Sequence, residues 1–202
     1  PVGSYTITEN RTDAARTNYE LVVTGEGAKA VTKGGTTNAV ITNTYTDKKS
    51  IKINKMDIKG TKELVNAALT LEDSKGNTVS SWVSKANEVW VVYEDDLVVG
   101  EEYTLKETTA PTGYNKITTE IKFKIDANYN ITVTSGTTGE YEVKDGVLLV
   151  KDEPKTIKIN KMDIKGAKEL IGAVLTLEDS KQTTVSNWTS AKDAVWEVDV
   201  ND

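Results

Sequence analysis

The sequence predicts an all-β chain made of tandem antiparallel sandwiches. Three observations carry this. Residues 51–96 return as 157–202 without gaps and with roughly two-thirds of positions identical, so one structural unit repeats at an offset of 106 residues. Thr, Val and Ile are abundant in short runs of alternating polarity, the pattern of strands with one buried face. No window carries a long amphipathic helical period, and Gly60–Leu64 is at most one helical turn.

The 202 residues suffice for one large or two ordinary domains, and with 37% hydrophobic and 28% charged residues, thin two-layer domains fit better than one thick core. A net charge of −6 argues against a nucleic acid or an anionic membrane as partner. Cysteine and histidine are absent, which excludes thiol chemistry, histidine acid–base catalysis and the usual zinc sites. No cofactor or metal is expected. No apolar run is long enough to span a membrane. The chain starts at Pro1 rather than Met and reads as a fragment of something longer.

Strands are predicted at 51–57, 67–73, 78–83, 88–94, 102–108, 118–125, 129–134, 139–143 and 146–152. Turn chemistry separates them at Ser74-Lys75-Gly76-Asn77, Ala110-Pro111-Thr112-Gly113, Asp126-Ala127-Asn128 and Asp145-Gly146. Residues 1–47 lie outside that unit. They hold strand-like runs at Tyr5–Glu9, Glu20–Val23 and Ala39–Tyr45, the later strands of a preceding domain. Thr46–Ser50 and Glu153–Thr156 are short linkers. The expected organisation is therefore 1–47 as the C-terminal half of one sandwich, 48–154 as a complete sandwich, and 155–202 as the N-terminal half of a second copy.

One lysine in each copy sits where a lysine should not be. Side chains alternate across a strand, so Lys55 shares the face of Ile51 and Ile53, and Lys161 that of Ile157 and Ile159. A buried lysine is costly unless paired or chemically altered. The same phase rule turns Glu107 inward with Tyr103 and Leu105, and Asp152 inward with Leu148 and Val150. An amine and a carboxyl held in contact in a dry core can condense to an amide, with a carboxyl neighbour moving the protons. Three readings stay open from strand phase alone. Lys55 forms an isopeptide bond, forms a buried salt bridge with Asp152 or Glu107, or lies on an edge and snorkels to water.

Four motifs carry a family resemblance. They are Ile53-Asn54-Lys55-Met56-Asp57, Gly172-Ala173-Val174-Leu175-Thr176-Leu177, the run Tyr-x-Leu-x-Glu-x-x-Ala-Pro-x-Gly-Tyr from Tyr103 to Tyr114, and the closing Val150-Lys151-Asp152. Together and in this order they resemble the Cna B-type domain of Gram-positive surface adhesins and pilins. The resemblance implies tandem Ig-like (Cna B-type) antiparallel β-sandwiches with an intramolecular isopeptide bond. Lys55 would be the amine, Glu107 the catalytic acid and Asp152 the acceptor. The family's acceptor is more often Asn, and the position of Asn66 is more often the glycine seen at Gly172.

Residues 1–47 are similar to the C-terminal half of a related pilin isopeptide domain, with Glu9 and Asn43 as catalyst and acceptor and no preceding lysine. Lys161 conversely lacks a downstream partner. The two terminal halves are expected to be completed, either head to tail by neighbouring copies with Lys161 facing Asn43, or by chain outside 1–202. The function so implied is a structural stalk of the Gram-positive cell wall or pilus, extracellular and not an enzyme beyond its single autocatalytic turnover. The alternative is an adhesin module that binds a host protein or glycan. In that alternative Trp82, Trp90, Trp188 and Trp196 form a stacking surface rather than edge or core packing. Asp95-Asp96 and Glu101-Glu102 are expected to form a solvated acidic loop, their spacing being poor for calcium.

Overall fold

The computed structural model describes residues 2–199. They divide into two compact units, one reaching to Ile51 and including Val91–Val98, the other formed by Lys52–Trp90 and the chain from Val99 on.

The first unit contains β1 (Gly3–Ile7), a single helical turn α1 (Arg11–Ala14), β2 (Tyr19–Thr24), β3 (Gly27–Val31) and β4 (Thr42–Asp47). β1 pairs with β3 and β2 with β4, both antiparallel. β1 ends sooner than its sequence suggests because the Asn10 side chain accepts from the Thr12 amide at 3.1 Å and caps α1. β3 escaped prediction. Its Gly-Ala-Lys-Ala-Val sequence has little β propensity, and it is held by its ladder to β1.

The chain continues through β5 (Ser50–Asp57), β6 (Ala68–Glu72), β7 (Thr78–Val83), β8 (Trp90–Tyr93), a 3₁₀ turn at Glu94–Asp96, β9 (Glu102–Thr109), β10 (Ile121–Ile125), β11 (Ile131–Ser135), β12 (Tyr141–Lys144) and β13 (Val147–Asp152). One sheet has the order β11-β10-β9-β6-β7 and the other the order β12-β13-β5-β8. The core lies between them. Ile53, Leu71, Leu105, Ile121, Phe123, Leu148 and Val150 have no exposed surface. Every strand predicted in 51–152 is present, with no end shifted by more than three residues and 78–83 matched at both ends. Asp145-Gly146 forms the two-residue hairpin loop between Lys144 and Val147, with φ of 51° and 76°, the left-handed pair that such a turn requires. Residues 60–64 are not helical. The Asp57 carboxylate accepts from the Thr61 and Lys62 amides at 2.7 and 2.9 Å and holds a turn instead.

One pairing departs from the antiparallel rule and organises the domain. β5 and β13 run parallel, with Leu148 opposite Ile53 and Val150 opposite Lys55. The first and last strands are therefore neighbours.

The second copy forms β14 (Thr156–Ile159), β15 (Val174–Glu178), β16 (Thr184–Thr189) and β17 (Trp196–Asp199). β14 pairs with β17 and β15 with β16. Local structure repeats closely. Trp82 stacks on Trp90 at 5.8 Å and Trp188 on Trp196 at 5.9 Å, and the Ser84 and Ser190 hydroxyls each accept a backbone amide at 2.9 Å. Burial repeats at Trp90 and Trp196 and at Val92 and Val198 but not throughout the copy. Ile51 is 1% exposed and Ile157 43%; Leu64 is 3% exposed and Leu170 38%. Backbone amides of β15 are accordingly expected to exchange with solvent faster than those of β6, although both strands make matching hairpins. Native-state hydrogen exchange of the 1–202 chain checks this, and equal protection would refute it.

Candidate functional site: a buried lysine between two carboxyls

Lys55, Glu107 and Asp152 meet in the core between the two sheets. Lys55 comes from β5 and Asp152 from the adjacent β13, while Glu107 reaches across from β9 in the facing sheet. Each side chain is placed by strand phase. In β9, Tyr103, Leu105 and Glu107 are buried, and the parallel register of β13 sets Val150 opposite Lys55, with Asp152 two residues further along the same inward face. All three side chains are fully shielded from solvent. The snorkelling reading of Lys55 is thereby eliminated.

The Lys55 ammonium donates to Asp152 Oδ1, and Glu107 Oε1 lies 3.1 Å from Lys55 Nζ. The other Glu107 oxygen, Oε2, accepts from the Ile117 amide at 3.0 Å. Glu107 Oε1 and Asp152 Oδ2 are buried without a hydrogen-bond donor in regular geometry, although the first is within ion-pair reach of the lysine. Two charged carboxylates around one ammonium would leave a net buried charge. Burial, opposed by Lys55 and reinforced by Glu107, pushes the Asp152 carboxyl up from its ordinary value to about 7. A proton on that carboxyl makes the cluster neutral and supplies the donor that the two orphaned oxygens lack.

Asn54, on the strand face opposite Lys55, is buried as well. Its Nδ2 donates to Glu63 at 3.0 Å, and its Oδ1 accepts from the Lys55 amide at 2.9 Å, which fixes the strand at the lysine. Sequence reasoning missed this, and it missed the Ile117 amide, because a backbone donor leaves no signature in residue type. Asn66 has φ of 66° where its counterpart Gly172 has 83°. Asparagine tolerates the left-handed conformation, which explains the substitution.

The second pair of site residues is also brought together. In the first unit Asn43 Nδ2 donates to Glu9 Oε1 at 3.1 Å, and Asn43 Oδ1 is buried without a partner. No lysine ion pair reaches this pair among the described residues. Lys161 belongs to the other unit and is half-buried, with no ion pair among the described residues. Trp90 and Trp196 are buried, and Trp82 and Trp188 cover them half-exposed. Among the described residues no group of His, Cys, Asp or Glu is arranged to hold a metal ion, and no helix is long and apolar enough to cross a membrane.

Residues 49–144 match the family model of the SpaA prealbumin-like fold domain. The match covers the segment that holds the first strand's lysine motif and the Tyr103–Tyr114 run. Among solved structures, the chain is similar to the Bacillus anthracis TIE protein, at 20% identity and a TM-score of 0.47, with 88% of this chain and 34% of that one covered. It is also similar to a C-terminal fragment of the pilus adhesin SpaC from Lactobacillus rhamnosus GG, at 20% identity and a TM-score of 0.44, covering 77% and 60%. A Streptococcal ancillary pilin matches at 18% identity and a TM-score of 0.43, over 98% and 63%. The chain thus spans about a third to under two thirds of the length of these structures. No curated protein matches the sequence.

Proposed function

We propose that the chain is a structural stalk segment of a Gram-positive surface adhesin or pilus, and that its central domain, 48–154, is locked by a Lys55–Asp152 isopeptide bond. The observation that carries this reading is the buried lysine in contact with one carboxyl and within 3.1 Å of another. Ion pairs buried this completely are poor stabilisers relative to apolar residues of similar size, so a salt bridge alone is a weak reason for the arrangement. Condensation removes both charges from the core.

The step balances without an external reagent. Lys55 gives a proton to Glu107, and its neutral amine attacks Cγ of the protonated Asp152 carboxyl. The Nζ–Cγ bond forms and a Cγ–O bond breaks. Glu107 carries one amine hydrogen to the departing oxygen, which leaves as water, and the proton of the original ammonium remains on Glu107. Enforced contact stands in for chemical activation, because oriented intramolecular groups react as though at ~10⁵ M or more.

The parallel register gives the bond a mechanical role. The chain enters the domain at the start of β5 and leaves at the end of β13, so tension loads the pair in shear. A bond from Lys55 to Asp152 carries that load past residues 56–151. The Glu9–Asn43 pair supports the same chemistry in the first unit, with a lysine supplied by chain or a copy outside the described residues. Lys161 is read as the amine of a further site of this kind.

Intact mass tests the reading. Denatured protein should fall short of its sequence mass by one water, and full sequence mass would sink the proposal. The Asp152→Asn variant should lose ammonia instead and end at the same final mass as the parent, since both reactions leave the same amide. A variant that still loses water rather than ammonia, and so ends about one dalton below the parent, would show that the acceptor lies elsewhere.

A further inference from the structure

The segment Asn115–Thr119, between β9 and β10, lines two clefts. One, of about 390 Å³, reaches Glu107; the other, of about 200 Å³, reaches Asp152. This strap therefore lies over both the catalyst side and the acceptor side of the buried cluster. Ile117 within it is 6% exposed, and the Ile117 amide is the donor to Glu107 Oε2.

The strap is held from outside the cluster. The Thr118 amide donates to both carboxylate oxygens of Glu140, at 2.9 Å each. The Thr118 and Thr119 hydroxyls each lie 2.9 Å from the Thr137 hydroxyl. Glu140 is itself fixed by its backbone. Its carbonyl accepts from the Lys151 amide at 2.8 Å, and its amide donates to the Thr137 carbonyl at 3.1 Å. Lys151 directly precedes Asp152. One residue thus ties the segment that orients Glu107 to the strand that carries the acceptor. Glu140 touches none of the reacting atoms.

We infer that Glu140 is a positioning residue for the amide-forming reaction. By clamping Thr118 it keeps the Ile117 amide on Glu107 Oε2, so that Oε1 stays turned to the lysine and the strap keeps water out. This inference rests on the isopeptide reading above. Small displacements of a catalytic group are expensive, on the order of a hundredfold in rate for ~1 Å.

The experiment is a pulse of cell-free synthesis followed by acid quenching at intervals, with water loss read by intact mass in the parent, Glu140→Ala and Glu140→Gln chains. Glu140→Ala should convert at least tenfold more slowly, on the order of the loss expected for a displaced catalyst. Glu140→Gln, which retains an oxygen for the Thr118 amide, should restore most of the rate. A purely structural role would not produce this split, and the same two substitutions in a Lys55→Met background, where no reaction occurs, should melt within a few degrees of each other. If Glu140→Ala does not fold, Glu140→Asp carries the test, since it keeps the charge but falls one methylene short of Thr118, and it should be slow. Parent-like conversion in Glu140→Ala or Glu140→Asp, or a Gln variant as slow as Ala, overturns the clamp. A parent chain that never loses water overturns the isopeptide reading and the clamp with it.

Discussion

Lys55→Ala is expected to retain its full sequence mass and to unfold more easily than the parent by ~2–5 kcal/mol, the range seen when a native disulfide is removed. Two terms act in the same direction. Loss of the bond between β5 and β13 frees the long loop 56–151 in the unfolded state, as reduction of a disulfide does. Removal of the lysine also leaves Glu107 and Asp152 facing one another with no cation between them, in a site with no exposed side-chain surface. Guanidinium or thermal unfolding of the two proteins measures the difference. A variant as stable as the parent would mean that neither bond nor ion pair supports the fold. The Glu107→Gln variant separates the terms, because it keeps the lysine beside Asp152 and removes only the proton carrier. It should retain the mass of the unreacted chain and fall between parent and Lys55→Ala in stability.

A second large effect concerns pH. In an unreacted chain the Asp152 carboxyl is raised to about 7, first by burial, with Lys55 the main opposing influence. Lys55→Met removes that opposition, so the folded-state value in the variant lies at least as high. The folded protein then holds a proton that the unfolded chain releases at an ordinary carboxylate pKa. Stability from this group is fully present below the unfolded value and is lost as pH rises through the folded one. The Lys55→Met variant should therefore melt several degrees lower at about pH 8 than at about pH 5, opposite to the trend set by an ion-paired carboxylate. A parent whose carboxyl is consumed in the proposed amide should lack this slope. A flat profile in the variant, or the same slope in both proteins, would rule out a protonated buried Asp152.

Much of the site was legible in the sequence because strand phase is a local property. Period-two alternation placed Lys55, Glu107 and Asp152 inward, and the structure brings these three together. The family resemblance, not strand phase, named Glu9 and Asn43 as partners, and they meet at 3.1 Å. The rest of the site was invisible for physical reasons. The Ile117 amide and the Glu140 clamp join residues that are distant in sequence, through donors every residue has and a glutamate with no distinguishing pattern. The parallel pairing of β5 and β13 depends on which strands end up adjacent, and alternation within a strand does not say that.

The two copies of the repeat separate what each level decides. From Ile51 and from Ile157 nearly the same residues fold into the same hairpins, the same tryptophan stacks and the same serine-held turns. Local sequence determined those, because turn chemistry, strand propensity and neighbouring hydrogen bonds act over a few residues. The fate of the repeated lysine was decided by tertiary structure alone. Lys55 lies under β9, beside β13 and sealed from water, while Lys161, on the same motif, is half-buried with no ion pair among the described residues. An amine becomes a reactant only where desolvation and an enforced carboxyl neighbour coincide, and strands distant in the chain must supply both.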